Sequence, residues 1–189
     1  MTTSGRIELM APAGNFESMQ AALDNGCDSI YFGVEQLNMR ARATVNFVLD
    51  DLPEIARRCN EKNVRTYLTL NTIIYDHDLS IVKTLLTKAK EAGITAVIAS
   101  DQAVIMTART IGMEVHISTQ LNVTNIETVK FYAMFADTIV LSRELSLRQV
   151  KKITEDIEKE QVKGPSGNLV EIEIFGHGAL CMAVSGKCY

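Results

Sequence analysis

Gly93-Ile94-Thr95-Ala96-Val97 joins the end of a helix-like run to the start of an apolar strand-like run. A glycine ends a helix well because it adopts left-handed backbone angles without strain, and β-branched residues behind it favour a strand. The same arrangement recurs as Gly26-Cys-Asp-Ser-Ile30 and as Gly112-Met-Glu-Val115. These repeated returns predict helices that each lead the chain straight back into a sheet.

Strand and helix patterns alternate along almost the whole chain. Apolar and β-rich runs predict strands at 7–10, 29–33, 65–70, 96–100, 115–118, 138–142 and 170–175. Capped amphipathic runs predict helices at 15–25, 50–62, 78–92, 102–110, 125–135 and 146–159. Alternation of this kind predicts a parallel sheet covered by helices.

The predicted element order favours a TIM-type (β/α) barrel in the α/β class. Such a barrel needs eight strands and typically about 250 residues. The 189 residues are therefore expected to form a single, incomplete barrel domain over 1–189, with about seven of the eight strand–helix units. A doubly wound open sheet is the alternative. Against it, Ala11-Pro-Ala-Gly14 stands where a dinucleotide-binding sheet carries Gly-x-Gly-x-x-Gly.

The composition favours a soluble, cytoplasmic protein. With 47% hydrophobic and 22% charged residues, the chain can bury a sizeable core. The net charge of -4 indicates that this segment has no basic surface for binding nucleic acid. Another part of the protein could supply one. No apolar run approaches the roughly 18 residues that span a bilayer, so no membrane partner is expected. Four cysteines are too few for a disulfide scaffold.

Polar residues follow the predicted strands at the edge where barrel enzymes carry their sites. Arg40, Arg42 and Arg143 could clamp a carboxylate or phosphate, helped by the N-terminus of the helix that Asn15 begins. The same residues could instead cap helices and pair with Glu35 and Glu144 as ordinary loop chemistry. The predicted ring comprises Asn15, Glu35, Asn38, Arg40, Arg42, Asn71, Asp101, Gln102, Thr119, Gln120, Asn122, Arg143, Glu144, His177 and Cys181.

The segment from Glu173 to Tyr189 concentrates side chains suited to catalysis or metal binding. Alternation along 172–175 is expected to place Glu173 and Phe175 on one face of a strand, before a glycine-bearing loop. The pattern Glu-x-Phe-x-x-Gly-Ala-Leu-Cys-x-x-x-x-Gly-x-Cys closely resembles the signature of the collagenase-like peptidase family (peptidase class U, family 32).

The resemblance extends over the rest of the chain. Because family members are usually much longer, it implies that this chain is the N-terminal part of one. Protease activity is attributed to some members, and others are similar to proteins that hydroxylate a tRNA uridine, a ribosomal RNA cytidine or the ubiquinone ring. The matching blocks are Ala11-Pro-Ala-Gly14, Ile30-Tyr-Phe-Gly33, Asn38-x-Arg40-Ala41, Asn46-Phe47, Thr69-Leu-Asn71, Ser118-Thr-Gln120 and Leu141-Ser-Arg-Glu-Leu145.

The hydroxylation proteins imply a [4Fe-4S] cluster on four cysteines. Cys181 and Cys188 would be two ligands and the others would lie beyond Tyr189, so an intact cluster is not expected in these residues alone. Cys27 and Cys59 are expected to pack as small buried hydrophobic residues.

The same proteins imply prephenate as the small carboxylate that donates the hydroxyl group. Arg40, Arg42 or Arg143 would bind it, while Glu173 and His177 would position or protonate the reacting group. The other proposed substrate-binding residues on the ring are Asn15, Asn71, Gln120 and Glu144.

RNA hydroxylation by an iron–sulfur enzyme is therefore the first functional prediction. The second is a peptidase acting on collagen-like chains, with Cys181 as nucleophile and His177 as base. Neither Gly-x-Ser-x-Gly nor His-Glu-x-x-His occurs in the chain. The third is a scaffold subunit that only positions a catalytic partner.

Overall fold

The computed structural model describes residues 7–34 and 47–178. Within them, strands and helices alternate as predicted. The strands are β1 (Met10–Pro12), β2 (Ser29–Phe32), β3 (Arg65–Leu70), β4 (Ala96–Ala99), β5 (Glu114–Ile117), β6 (Thr138–Val140) and β7 (Glu171–Glu173). The helices are α1 (Phe16–Asp24), α2 (Leu52–Glu61), α3 (Leu79–Ala92), α4 (Gln102–Thr110), α5 (Ile126–Ala133) and α6 (Leu147–Glu160).

The seven strands form one parallel sheet whose spatial order is the order of the sequence, β1 to β7. A doubly wound sheet would reverse direction at a switch point between its two halves. That alternative is therefore wrong. The prediction of a TIM-type barrel wall is confirmed, with seven strands in the part of the chain that the structure describes.

Most of the hydrophobic core lies between the outer face of the sheet and the helices. Ile30, Leu68, Val97 and Ile117 alternate outward from their strands and are fully buried there. The inner face carries a second, smaller cluster made by Tyr67, Ala96 and Ile98, with Met10 and Tyr31 packed against it. The interior of the barrel thus contains fewer buried apolar residues than the layer between the sheet and the helices.

Local sequence patterns predicted the bounds of several elements correctly. β3 and α4 coincide with the predicted ranges. Gly93 caps α3 with a φ of 87°, and Gly26 and Gly112 have φ values of 77° and 70°. Their left-handed backbone explains the repeated return from helix to strand. No helix among the described residues has both the length and the apolarity of a membrane span.

The prediction of a first strand at 7–10 is wrong. Ile7 and Leu9 are 88% and 61% exposed, and β1 begins only at Met10. The ladder continues instead through Ala11 and Pro12, whose partner in the register is Tyr31. Proline lacks an N–H, so it is tolerated here because β1 is an edge strand of the described sheet.

Other boundaries also differ from the prediction, among them the end of β7 and the start of α2. β7 ends at Glu173, two residues before the predicted end, and Ile174 and Phe175 are about half exposed. Asp51 precedes α2 without capping it, because its carboxylate accepts a hydrogen bond from the Val48 amide. The chain therefore enters α2 through a short 3-10 turn at Leu49–Asp51 and not through a side-chain cap.

Candidate functional site

Charged side chains lie on the inner face of the barrel, in a layer where barrels usually carry branched aliphatic side chains. The rings of Tyr67 on β3 and His116 on β5 have centroids 4.5 Å apart. The Nδ1 atom of His116 lies 3.7 Å from Glu173 Oε2 on β7, and Met10 of β1 packs in the cluster of Tyr67. We call these four residues from alternate strands, Met10, Tyr67, His116 and Glu173, the middle layer.

His116 lies between two carboxylates. Its side chain is 4% exposed, and its Nε2 atom lies 3.3 Å from Glu114 Oε1. Burial by itself would lower the pKa of His116, but Glu114 and then Glu173 outweigh it and raise the pKa above its usual value. The two carboxylates therefore favour the charged imidazole, in which both ring nitrogens donate.

Neighbouring groups extend this charged system toward the amino ends of the strands. The hydrogen bond with His116 lowers the pKa of Glu114, although burial opposes it. Burial raises the pKa of Tyr67 to about 12, so its hydroxyl stays protonated and donates to Glu8 Oε1 over 2.8 Å. Arg65 pairs with Glu8 and lies over the ring of Tyr67. The lumen thus contains charged groups of both signs, which the neutral side chain of Tyr67 connects.

Several predicted ring residues lie at the carboxyl ends of the strands, with defined local partners. Asn15 caps α1 by accepting a hydrogen bond from the Ser18 amide over 2.7 Å. The guanidinium of Arg143 lies 5.7 Å from the centre of the Phe175 ring, and Glu144 accepts a hydrogen bond from the Ser142 hydroxyl. Asn15 thus caps a helix, and Glu144 makes a hydrogen bond within its own loop. These are the local structural roles that the sequence offered as the alternative to ligand binding.

The remaining predicted site residues are distributed around the same end. Asn71 directly follows β3 and is half-buried. Gln120 follows β5 in a short 3-10 turn, and its buried Oε1 atom has no hydrogen-bond partner among the described residues. His177 is exposed, whereas Glu173 faces His116 inside the barrel. Arg40, Arg42, Cys181 and Cys188 lie outside the described residues.

Cys27 and Cys59 are buried in the outer core, as predicted. Burial raises the pKa of both thiols, to about 11 for Cys59. Neither thiol fits a role as a cluster ligand beside Cys181 and Cys188, because both pack between the sheet and the helices. Within residues 7–34 and 47–178, no group of three or more His, Cys, Asp and Glu side chains is arranged to hold a metal ion.

His116, Glu114 and Tyr67 are not among the site residues predicted from the sequence. The predicted residues lie in the loops after the strands, whereas these three lie on the strands themselves. A usable signal was present in Glu114-Val-His116-Ile and in Arg65-Thr-Tyr67-Leu, where polar or aromatic residues alternate with outward apolar or small ones. In a strand buried on both faces, a charged residue at every second position indicates a polar lumen.

A parallel barrel wall with a charged lumen and a polar carboxyl-end rim defines an enzyme-like α/β protein. The family model described as "Peptidase family U32" matches residues 14–189. The chain therefore belongs to the U32 family, and the predicted family resemblance is confirmed.

Relatives in the family carry names of two kinds. A collagenase from Porphyromonas gingivalis is 54% identical over 183 residues, which cover 97% of this chain and 44% of the relative. The tRNA hydroxylation protein P of Escherichia coli is 34% identical over 184 residues, covering 96% of this chain and 38% of the relative. The chain spans less than half the length of both relatives.

A solved structure agrees with the barrel architecture. The U32 peptidase Mk0906 superposes with a TM-score of 0.64, covering 82% of this chain and 67% of that one. At 15% sequence identity this likeness concerns the fold alone.

Proposed function

We propose that the protein takes part in the hydroxylation of a tRNA or rRNA base as an enzyme of the U32 family. The single observation that carries the proposal is the buried imidazole of His116, which lies between the carboxylates of Glu114 and Glu173. The similarity to a protein named for tRNA hydroxylation supports it.

The contacts of His116 argue against a peptidase centred on this layer. A serine or cysteine peptidase needs a neutral imidazole that removes a proton from its nucleophile. Both nitrogens of His116 face carboxylates, and the thiols of Cys27 and Cys59 are buried with raised pKa values. Charged groups in a polar lumen suit the binding and protonation of a polar substrate better than acyl transfer.

A peptidase remains the second candidate because the Porphyromonas gingivalis relative is named a collagenase. Its nucleophile would be Cys181, with His177 as the base. A scaffold subunit that positions a catalytic partner is the third candidate, and it assigns no chemical task to the middle layer.

Cys181 and Cys188 would hold a [4Fe-4S] cluster together with two cysteines outside these 189 residues. The cluster would supply the redox chemistry of the hydroxylation. The described residues would bind and orient the substrates. Arg143, steadied over the Phe175 ring, would bind the carboxylate of a prephenate-like donor with Arg40 or Arg42. Glu173 would position or protonate the reacting group, with His177 on the loop behind it.

Replacing Arg143 with alanine is expected to weaken prephenate binding by about 1.5–3 kcal/mol, the usual contribution of a hydrogen bond to a charged group. Isothermal titration calorimetry on the full-length protein measures the change. Arg148→Ala is the matched control, because Arg148 is an exposed arginine on α6. Equal affinities of wild type and Arg143→Ala would reject the arginine as a ligand.

The function is tested by mass spectrometry of nucleosides from tRNA and rRNA of cells that lack the gene. A hydroxylated pyrimidine nucleoside is expected to disappear and to return when the wild-type gene is restored. Gelatin cleavage by the purified protein is measured in parallel. An unchanged set of nucleosides, together with gelatin cleavage that depends on Cys181, would instead establish the peptidase.

A further inference from the structure

Large apolar side chains are exposed on the outer wall of the barrel at α4 and α5. Phe131, Met134 and Met106 are 53%, 57% and 52% exposed. The ring of Phe131 contacts those of Tyr132 and Phe135, with centroids 5.1 and 5.8 Å away. A surface helix normally carries polar residues opposite its buried face, so these positions depart from the usual pattern.

A hydrogen bond joins the ends of the two helices. Arg109 Nη1 on α4 donates to the carbonyl oxygen of Phe135, just after α5, over 3.0 Å. Both helices run from the carboxyl ends of the strands to the amino ends, so Met106 and Phe131 each lie about one turn before this contact. Met106, Phe131, Met134 and Phe135 therefore form one surface, which we call the α4–α5 patch.

The composition and position of the α4–α5 patch are those of a protein interface. Exposed apolar residues that lie together on a protein surface mark an interaction site, and phenylalanine, methionine and arginine are enriched at interfaces. Val129 and Ala133 bury the opposite face of α5 against the sheet. The patch thus faces away from the lumen and the rim, and a partner bound there leaves the candidate site open.

The charges beside the α4–α5 patch fit a second copy of the same chain. Glu127 lies four residues before Phe131 and its side chain is 77% exposed, whereas the Arg109 guanidinium lies beside Phe135, four residues after Phe131. Two copies of α5 that pack antiparallel about an axis at Phe131 bring Glu127 of each copy opposite position 135 of the other. Each carboxylate then meets the other copy's Arg109. A surface that complements itself in this way fits an isologous dimer.

Both charges have capacity for a further contact. Glu127 pairs with Lys130, but Lys130 also pairs with Glu160 on α6, so one cation serves two carboxylates. Arg109 donates to the Phe135 carbonyl through one nitrogen, and a guanidinium has five N–H donors.

We propose that the α4–α5 patch is the interface of a homodimer with its two-fold axis near Phe131. A pair between Glu127 and Arg109 lies on each side of the apolar centre. The proposal does not depend on the proposed function, because the interface lies outside the lumen and the rim.

Sedimentation velocity on the full-length protein measures the Kd of the dimer. Phe131→Ser should raise this Kd at least about tenfold, because an aromatic residue at the centre of an interface carries much of the binding energy. Leu147→Ser is the matched control. Leu147 is 77% exposed at the start of α6, outside the patch, so its replacement should leave the Kd unchanged.

Two charge reversals test the orientation of the copies. Glu127→Arg and Arg109→Glu each place like charges at both pairs, so each variant by itself should dimerise at least about tenfold more weakly. An equimolar mixture of the two variants restores opposite charges at both pairs, so a mixed dimer should form with close to the wild-type affinity. Circular dichroism verifies that each variant is folded.

Three results would overturn the proposal. The first is a wild-type protein that stays monomeric at about 100 μM, where a dimer of micromolar Kd is nearly complete. The second is a dimer whose Kd is unchanged by Phe131→Ser. The third is a mixture of the two charge variants that associates no better than either variant alone.

Discussion

Replacing either Cys181 or Cys188 with serine is expected to remove iron and sulfide from the full-length protein and to abolish RNA hydroxylation. A [4Fe-4S] cluster is held by four thiolates, so a site with three holds it poorly. Anaerobic reconstitution, followed by quantification of iron and sulfide, measures the loss. The matched control is Cys59→Ser, whose thiol is fully buried in the outer core on α2. It should reduce stability by about 1–3 kcal/mol and retain the cluster.

The same two variants also distinguish RNA hydroxylation from peptidase activity. If Cys181 is a peptidase nucleophile, only Cys181→Ser stops turnover, Cys188→Ser is tolerated, and iron content has no bearing on activity. Wild-type protein that never retains iron after anaerobic reconstitution would contradict the cluster, and with it the proposed hydroxylation.

Replacing His116 with glutamine is expected to lower the free energy of unfolding by about 2 kcal/mol. The substitution removes the cation between Glu114 and Glu173 and leaves two carboxylates facing each other across the lumen. Breaking a fully buried pair costs about 3–5 kcal/mol, and the partial exposure of these carboxylates reduces the effect. Urea unfolding measures it. His77→Gln is the control, because the His77 side chain is 80% exposed, and its effect should stay within about 0.5 kcal/mol.

The same substitution should change how stability depends on pH. The folded-state pKa of His116 is raised above its usual value of 6.5, so its stabilisation is complete below that pH. It is lost as the pH rises through the folded-state pKa. Over that window the wild-type free energy of unfolding should fall with rising pH, while that of His116→Gln should stay nearly flat. Parallel pH profiles for the two proteins would show that His116 is not charged in the fold.

Glu114 acts in the opposite direction at acidic pH. Its folded-state pKa is lowered below its usual value of 4.5, so its contribution is present above that pH and is lost as the pH falls through the folded-state pKa. Wild-type stability should therefore be greatest at mildly acidic pH, where Glu114 is ionised and His116 is protonated.

The sequence by itself determined the elements whose signals are local. The glycine returns at Gly26, Gly93 and Gly112, together with the capped amphipathic helices, were enough to predict the (β/α) barrel wall. β1 was misplaced because its start depends on the pairing of Ala11 and Pro12 with β2, which hydropathy does not encode. The signature around Glu173 and Cys181 was sufficient to identify the family.

Only the tertiary structure decided which residues share the lumen. Tyr67, His116 and Glu173 come from β3, β5 and β7, and they meet because strand tilt brings inward residues of alternate strands to the same height. Two carboxylates meet His116 there and raise its pKa, at a site where burial alone would lower it. Strand stagger and the balance between desolvation and attraction depend on distances between strands, so the order of residues along one strand cannot specify them.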